Sequence, residues 1–584
     1  MKILSLTRYI IILVLAGFAI GGTAPADAAR QGDPVQDRKT FSLESPIANP
    51  LIKRMQAALK KAGYYKGPIS GSINSQTEAA IHSYQRRENM EISGIVTEQL
   101  VIQLESSVKV QSLLQQLQRQ RLLKMKAARE ALMQSPATRR LLADTRQPKE
   151  VADATRDPAP CFATPDPRCL LEEASQSARS VFKDELRYWA LSEILVAQAK
   201  AGLVEKAMNT IRRIDDPRLM IVALRDIAEA QARSGRPVEA LAAAEIIPNA
   251  LKRAEALAAI ATIQARTPGP ANRRSGARRT LDMLFKTLNA IDDPLKRIAL
   301  QAQGATILYK SGDATGAWKT LAGAHKNANG LTDNKTRSVA LRHVASAMAD
   351  IDRPEQALEI LKILPELSEH TPVLVSAAAA QALAGHADLA LATASTIETV
   401  RYRAVVLGRI AVAQATAGQM AAADETLEKA FAAIKLIELP FAQAYAHEQM
   451  AKALMSIAKL QTGKSAKNAY RRAVGSASRI SDNMLRARTL WAISNSQQIS
   501  GDRTQAAKTE GLAETATASI RSTLTVVWMF CNIATDHMAA AAPAQAQKAF
   551  ARALKLSKSI SNPWGRARAL ARLASTQVDL STGE

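Results

Sequence analysis

The sequence predicts an all-α protein that is built mostly from repeated helical hairpins. Hydrophobic residues make up 47% of the 584 residues and aromatic residues only 4%. Much of the apolar share is alanine, a composition that suits closely packed helices better than a large β-sandwich core. From about residue 170 the sequence repeats with several steps of 33 residues, which is the period of a helical hairpin. We therefore expect a small three-helix domain, a helical linker and a large α-solenoid.

Residues 1–29 have the pattern of a secretory signal peptide. Lys2 and Arg8 supply positive charge, residues 9–20 are apolar, and small residues at 26–28 offer a cleavage site. A retained membrane anchor is the alternative, but the apolar run is shorter than the roughly 20 residues that a spanning helix needs. The pattern predicts export to the periplasm, followed by a flexible polar tether over residues 30–45.

Residues 46–106 predict a compact unit of three helices. The first helix has a periodic apolar face and can end at Gly63. Gly71 can adopt positive φ in a tight turn, and Thr77 stands where the N-terminal cap of a second helix would fall. A third helix is expected to start near Thr97.

This unit resembles the three-helix peptidoglycan-binding domain that accompanies many cell-wall hydrolases. The resemblance is carried by residues 52–59, Ala62-Gly63-Tyr64-Tyr65, residues 70–74, residues 77–81, Tyr84-Gln85 and residues 93–96. It implies binding to peptidoglycan through Tyr64, Tyr65, Ser70, Asn74, Thr77, Tyr84 and Gln85.

Two positions depart from that family's pattern. Ser70 replaces an acidic residue before the turn glycine, and Asn74 replaces a second glycine. Asn tolerates the left-handed region, so the backbone can survive the second change. The alternative to wall binding is a domain that keeps its fold as a spacer.

The pattern of residues 107–145 predicts a long basic helix. Apolar residues recur at intervals of three and four, and cations lie between them. Three alternatives remain: a coiled-coil arm, a membrane-surface helix in weak contact with anionic lipid, and a helix packed on its neighbours.

A Pro-rich linker follows over residues 146–169. It contains Cys161 and Cys169, for which an oxidising compartment predicts a disulfide. Cys531 lies in an apolar run and is expected to be a buried thiol.

The repeats span residues 170–584, and their unit is Ile-x3-Gln-x3-Gly-x4-Ala. Ile and Gln share one helix face, Gly ends that helix, and the small Ala lets a second helix approach. The unit resembles tetratricopeptide-type repeats, with Gln where that family often has an aromatic residue, and this resemblance implies protein or peptide binding. About nine to eleven hairpins fit, with a basic insertion at residues 272–279; a rigid spacer without a ligand is the alternative. Full copies of the unit begin at Ile194, Ile227, Ile410 and Ile493.

No pattern in the sequence predicts an active site, a metal or a cofactor. The seven histidines are scattered, and there is no nucleophile elbow or phosphate loop. A net charge of +24 would favour nucleic acid in a cytosolic protein, but export excludes that partner. We therefore expect a non-enzymatic periplasmic scaffold that binds peptidoglycan and envelope proteins. A cell-wall hydrolase or hydrolase activator, with an unrecognised site in the helical region, is the alternative.

Overall fold

A computed structural model describes residues 49–142, 151–153, 155–266 and 271–581. The predicted signal peptide and tether therefore lie outside the described residues, as does Pro268-Gly269-Pro270 before the predicted insertion. Throughout the described ranges the regular structure is helical, which confirms the all-α prediction. The chain divides into two compact units, with the boundary after Gln118. None of the helices in those ranges is long and apolar enough to cross a membrane.

The first unit contains α1 (Pro50–Lys61), α2 (Ser75–Arg87) and the first part of α3 (Glu98–Gln134). The positive φ values of Gly63 (81°) and Gly71 (84°) confirm their predicted roles in ending α1 and forming the following turn. The unit encloses its own core, to which each helix contributes. Its fully buried side chains include those of Met55, Leu59, Ile81, Val101 and Leu104.

Helix α3 continues well beyond this core. Its middle part leaves large apolar side chains in solvent, with Leu117 61% and Leu122 67% exposed. The apolar periodicity of the sequence is therefore not matched by packing along the whole helix. The basic helix predicted over residues 107–145 is also interrupted, because a new helix, α4 (Pro136–Leu142), starts at a proline.

The second unit contains the end of α3, α4 and the consecutive helices that follow α4. Their bounds are α5 (Ala159–Ala163), α6 (Pro167–Arg179), α7 (Asp184–Lys200), α8 (Val204–Arg212), α9 (Pro217–Arg233), α10 (Pro237–Glu245), α11 (Ala250–Arg266), α12 (Ala271–Leu288), α13 (Pro294–Lys310), α14 (Ala314–Asn329), α15 (Asn334–Asp350), α16 (Pro354–Leu361), α17 (Leu367–Leu383), α18 (Ala387–Ser395), α19 (Val400–Thr416), α20 (Met420–Lys435), α21 (Pro440–Lys459), α22 (Gly463–Ser478), α23 (Asn483–Ile499), α24 (Arg503–Ala518), α25 (Thr523–Ala539), α26 (Pro543–Ser557) and α27 (Pro563–Ser581).

These helices form a closed ring of hairpins. From α7 onward each odd-numbered helix packs against the even-numbered helix that follows it and against the next odd-numbered helix. The last helix, α27, has no successor; it packs instead on α6 as its hairpin partner and on α7 as its neighbour. The part of the chain that is described thus contains eleven hairpins, the eleventh assembled from both ends of the repeat region. The predicted α-solenoid is present, and it is closed.

The odd-numbered helices form the inner layer of this ring. They contact one another all the way round, whereas the even-numbered helices pack chiefly on the odd-numbered ones. Neighbours at a smaller radius are closer together, so the odd-numbered set lies inside. We call the two sets the inner helices (α7 to α27, odd) and the outer helices (α6 to α26, even).

Within the described ranges, eight inner helices end as the repeat motif predicts. After their carboxyl ends stands a residue with positive φ, and the backbone N–H that follows it donates to the carbonyl four residues before that residue, the Schellman arrangement. Helix α21 ends without such a residue. Glycine occupies the position in six hairpins, at Gly202, Gly235, Gly312, Gly385, Gly418 and Gly501. Asp352 and Ala541 take the same conformation without being glycine.

Apart from α6, which has 13 residues, the outer helices come in two lengths, which explains the irregular spacing of the repeats. Helices α8, α10, α16 and α18 have 8 or 9 residues, whereas α12, α14, α20, α22, α24 and α26 have 15 to 18. Seven added residues make about two turns, so the buried face is kept. The predicted basic insertion at residues 272–279 is such an extension and lies within α12.

In two hairpins the buried glutamine of the repeat motif joins the two helices, whereas Oε1 of Gln231, Gln414 and Gln497 has no hydrogen-bond partner among the described residues. Thr210 of α8 donates to Oε1 of Gln198 at 2.8 Å, and Thr393 of α18 does the same to Gln381 at 2.8 Å. Both glutamines are at most 4% exposed. In these two hairpins the hydrogen bond gives a local reason for Gln at a position where the tetratricopeptide family often has an aromatic residue. The named tetratricopeptide family stays a prediction.

Candidate functional site

The first unit is organised around two buried glutamines, each of which binds a Ser-Gly turn. Gln56 of α1 accepts from the backbone N–H of Gly71 at 2.9 Å and donates to Oγ of Ser70 at 3.3 Å. Gln85 of α2 repeats the pattern, accepting from Gly94 N–H at 3.1 Å and donating to Ser93 Oγ at 3.1 Å. Both turns are therefore fixed by helix side chains.

Gln56 makes two further hydrogen bonds and is fully buried. Its Nε2 donates to the carbonyl of Ser72 at 2.9 Å and to Oγ1 of Thr77 at 3.1 Å. A buried amide that satisfies several partners is costly to replace. Gln56 is not among the site residues predicted from the sequence; its place fourteen and fifteen residues before a Ser-Gly pair is the signal that could have identified it.

The N-cap of α2 is Asn74, which corrects the prediction of Thr77. The Asn74 Oδ1 accepts from the backbone N–H of Thr77 at 2.8 Å and from its hydroxyl at 2.8 Å. Asn is among the best N-caps, so the helix starts three residues earlier than expected. Asn74 is extended, with φ of −126°, and does not use the left-handed region that the comparison with glycine suggested.

Four of the seven residues predicted to bind peptidoglycan are at most 3% exposed: Tyr65, Thr77, Tyr84 and Gln85. The Tyr65 hydroxyl donates to the carbonyl of Pro68 at 2.9 Å. These four side chains belong to the buried interior of the unit. Burial raises the pKa of the Tyr84 hydroxyl, which keeps that side chain neutral.

The other three predicted residues are accessible. Ser70 and Asn74 lie in the exposed turn before α2. Tyr64 is partly exposed, with its ring edge-on to Tyr84 at 5.8 Å and the Arg87 guanidinium 5.9 Å from its centroid. The structure thus separates one aromatic and two short polar side chains that a ligand could reach from those that form the core.

The same turn exposes two isoleucines that sequence reasoning missed. Ile69 is 44% and Ile73 50% exposed, on either side of Gly71. Apolar side chains beside short polar groups suit the alternating apolar and hydroxyl faces of a sugar. We call residues 69–74 the turn surface.

An ion pair fixes α3 against α1. Arg54 donates to both carboxylate oxygens of Glu105, at 3.0 and 2.8 Å. These hydrogen bonds hold the pKa of Glu105 below its usual value. This bidentate contact joins the third helix to the first on the surface of the unit.

Residues 48–104 match the family of putative peptidoglycan binding domains. The match covers the first unit and only about a tenth of the chain. The match supports association of this domain, which we call the peptidoglycan-binding domain, with the cell wall. No curated protein matches the chain at a significant level.

Two solved structures resemble this chain weakly. Ton1535 from Thermococcus onnurineus NA1 has a TM-score of 0.27 and 16% identity, covering 66% of this chain and 98% of its own. A circular tandem repeat protein with novel repeat topology has a TM-score of 0.17 and 13% identity, covering 71% and 96%. The closed ring follows from the helix contacts of this chain itself.

The ring is closed by an arginine set among tryptophans. The Arg568 guanidinium of α27 lies 4.3 to 4.7 Å from the ring centroids of Trp189, Trp528 and Trp564. Its Nη2 lies 2.7 Å from a carboxylate oxygen of Glu193 on α7. Burial raises the pKa of Glu193, and the hydrogen bonds from Arg568 oppose that shift. We call these five residues the seam cluster.

The cysteines behave as the sequence predicts. Cys161 and Cys169 are joined in a disulfide, and Cys169 lies in α6, the outer helix that completes the eleventh hairpin. Cys531 is a buried free thiol whose pKa burial raises to about 11. Such a thiol does not ionise at neutral pH and is a poor nucleophile. Over the described ranges, no group of His, Cys, Asp and Glu side chains is placed to hold a metal ion.

Proposed function

We propose that this protein is an exported scaffold, in which the peptidoglycan-binding domain anchors the chain to the cell wall and the ring binds envelope proteins. The observation that carries the proposal is the family match of residues 48–104, joined in one chain to a closed array of helical hairpins. Helical repeat arrays offer long surfaces for partner proteins. Binding of this kind requires neither a cofactor nor a catalytic group.

Sedimentation with purified sacculi tests the anchor. We expect the mature chain to sediment with sacculi and a chain lacking residues 50–106 to stay in solution. The mature chain should release no muropeptides during the incubation. Equal sedimentation of both chains would contradict anchoring through the domain, and release of muropeptides would favour a hydrolase.

The turn surface provides a finer test of the site. Replacing both Ile69 and Ile73 by Ser should weaken sedimentation several-fold, because their exposed side chains no longer cover apolar parts of the ligand. Ile102, which is 51% exposed on α3, provides the matched control through Ile102→Ser. Equal loss in the control and the double variant would place the ligand elsewhere.

Export rests on the predicted signal peptide. Periplasmic fractionation should recover the full chain, and a chain without residues 1–29 should remain in the cytosol. Recovery of the full chain in the inner-membrane fraction would instead favour a retained anchor.

A further inference from the structure

A cleft between two outer helices differs in its charge from the rest of the repeat pattern. Helices α20 and α22 form its walls, and the inner helix α21 forms its floor. Its volume is about 710 Å³, which is in the range of ligand-binding clefts. Clefts of this kind arise because the outer helices, at the larger radius, pack on inner helices more than on each other.

The cleft is strongly basic. Four cations line it, Lys435, Arg471, Arg472 and Arg479, with Glu428 as the one lining carboxylate. Arg472 is already neutralised, since its two terminal nitrogens each lie 2.7 Å from an acid, Asp424 or Glu428. The charge that remains for a ligand therefore comes from the other three cations.

Those three cations have no acid partner within the part of the chain that the structure describes. Lys435, Arg471 and Arg479 are all exposed, and Arg471 donates only to the amide oxygen of Asn468, at 2.7 Å. They stand on both walls, at the end of α20 and along and just beyond α22. A negatively charged group between the walls would meet cations on two sides.

A matched cleft elsewhere in the ring carries less of this charge. Helices α12, α13 and α14 enclose a cleft at the equivalent place, where Asn289 corresponds to Lys435 and Gly330 to Arg479. Two cations line it, Lys326 and Arg297, against four in the α20–α22 cleft, and the Arg297 guanidinium donates to the carbonyl of Ile291 at 3.2 Å. The repeated fold therefore does not itself require the cations of the α20–α22 cleft.

The wall and floor of the basic cleft also offer apolar and uncharged polar groups. Phe431 lies on one wall, with the Arg472 guanidinium 5.7 Å from its ring centroid. His447 on the floor is 7% exposed, and Ser476 lies 3.2 Å from its Nδ1. Burial and the nearby Arg479 lower the pKa of His447, so the imidazole is neutral and can hydrogen-bond to amides.

We propose that the cleft between α20 and α22 binds an acidic peptide segment of a partner protein. Carboxylates of the segment would pair with Lys435, Arg471 and Arg479, and its backbone would lie along Phe431 and His447. A flat anionic membrane would meet the crests of the outer helices rather than the recessed floor, which favours a peptide. This inference rests on the proposed scaffold function and names one surface that would perform it.

Fluorescence anisotropy on the full mature chain tests the proposal. The probe is a labelled decapeptide in which Glu and Ala alternate, and its control has Gln in place of Glu. We expect the Glu peptide to bind and the Gln peptide to bind at least tenfold more weakly. The triple variant Lys435→Gln, Arg471→Gln, Arg479→Gln should weaken binding of the Glu peptide by at least tenfold, because each lost pair contributes a part.

The matched control removes equal charge elsewhere on the ring. The exposed lysines Lys206, Lys335 and Lys555 can be changed together to Gln, with an expected effect below twofold. All six positions are exposed, so the melting temperatures of both triple variants should equal that of the parent. Equal weakening in the two triple variants, or no preference for Glu over Gln, would overturn the proposal.

Two further measurements separate the explanations. Phosphatidylglycerol vesicles that bind the parent but not the cleft variant would assign the cations to a membrane and overturn the peptide proposal. Sacculus sedimentation reports on the anchor alone, and we expect it to be unchanged in the cleft variant. Loss of sedimentation in the domain deletion with intact peptide binding would leave the cleft assignment standing.

Discussion

At the scale of single residues, two inner helices end in the left-handed conformation without the glycine that the repeat motif predicts. Ala541 has a φ of 54°, a conformation that the other hairpins mostly give to glycine. A left-handed conformation costs an L-residue with a Cβ atom roughly 1 kcal/mol more than glycine. The backbone of Ala541 is therefore strained, and glycine at this position would remove the strain.

We expect Ala541→Gly to raise the free energy of unfolding by about 1 kcal/mol. Gly235→Ala is the reverse change at an equivalent position, and nothing lies within 4 Å of an added Cβ there, so only the backbone is affected. It should lower stability by a similar amount. Circular dichroism melts of the two variants check the pair; a lower melting temperature for Ala541→Gly would contradict the assignment.

His537 stands at the position where other hairpins carry the buried glutamine. It is 7% exposed, its Nδ1 has no partner among the described residues, and burial lowers its pKa. A folded pKa below the unfolded value of about 6.5 means that stability is complete above that pH. Stability is then lost as the pH falls from the unfolded pKa towards the folded one.

His537→Gln should therefore reduce the loss of stability on acidification. Between pH 7.5 and 5 the melting temperature of the variant should fall less than that of the parent, because one buried group no longer gains a proton on unfolding. His447 and His343, whose pKa values burial also lowers, keep part of the effect. A variant with the parent's pH profile would show that His537 does not contribute.

At the scale of elements, an arginine in the first turn of an inner helix hydrogen-bonds to the loop before that helix in seven hairpins of the described ranges. The guanidinium donates to a backbone carbonyl six residues earlier, which would otherwise lack a partner at the hairpin junction. The pairs are Arg187 with Val181, Arg253 with Ile247, Arg297 with Ile291, Arg337 with Leu331, Arg403 with Ile397, Arg486 with Ile480 and Arg566 with Ile560. His370 replaces arginine for Leu364.

Replacing one of these arginines by Met should cost about 1–2 kcal/mol. Met keeps the apolar stem, so Arg403→Met isolates the hydrogen bond to Ile397, which is 3.1 Å long. Arg401 is exposed two residues earlier, over the ring of Tyr402, and Arg401→Met should change stability by less than about 0.5 kcal/mol. Urea unfolding compares the two; equal effects would mean that the carbonyl contact contributes nothing.

At this scale, some features could be predicted from the sequence and others could not. The inner helices and their glycine ends follow from local spacing, and the disulfide follows from two cysteines in a short Pro-rich segment. The arginine contacts were missed because each joins a helix to a loop carbonyl, a group with no sequence identity of its own. In the peptidoglycan-binding domain, burial of Thr77, Tyr84 and Gln85 depends on three helices meeting, so the motif alone could not separate core from surface.

At the scale of the whole ring, closure is the feature that the sequence did not predict. Each hairpin adds a small rotation, and only the sum over eleven units decides whether α27 reaches α6 and α7. No local pattern marks α6 as the outer helix of the last hairpin. The seam cluster shows that this contact is specific, since Arg568 is 8% exposed as a side chain and is satisfied by Glu193.

Arg568→Met should destabilise the seam by about 2–3 kcal/mol, because Glu193 would lose its partner in a mostly buried place. The double variant Arg568→Met, Glu193→Met should recover part of that loss by removing the unpaired charge as well. Thermal melting and the hydrodynamic radius, which rises if the ring opens, are the measurements. A single variant as stable as the parent, or a double variant less stable than the single one, would contradict this role.

Closure also limits how this chain can evolve in length. An open solenoid can gain or lose a hairpin by duplication or deletion and keep every neighbour contact that remains. In this ring the same event would shift α27 by one hairpin relative to α6, and the two halves of the eleventh hairpin would no longer meet. Lineages descended from this protein should therefore vary in loops and in the lengths of outer helices while the number of hairpins stays constant.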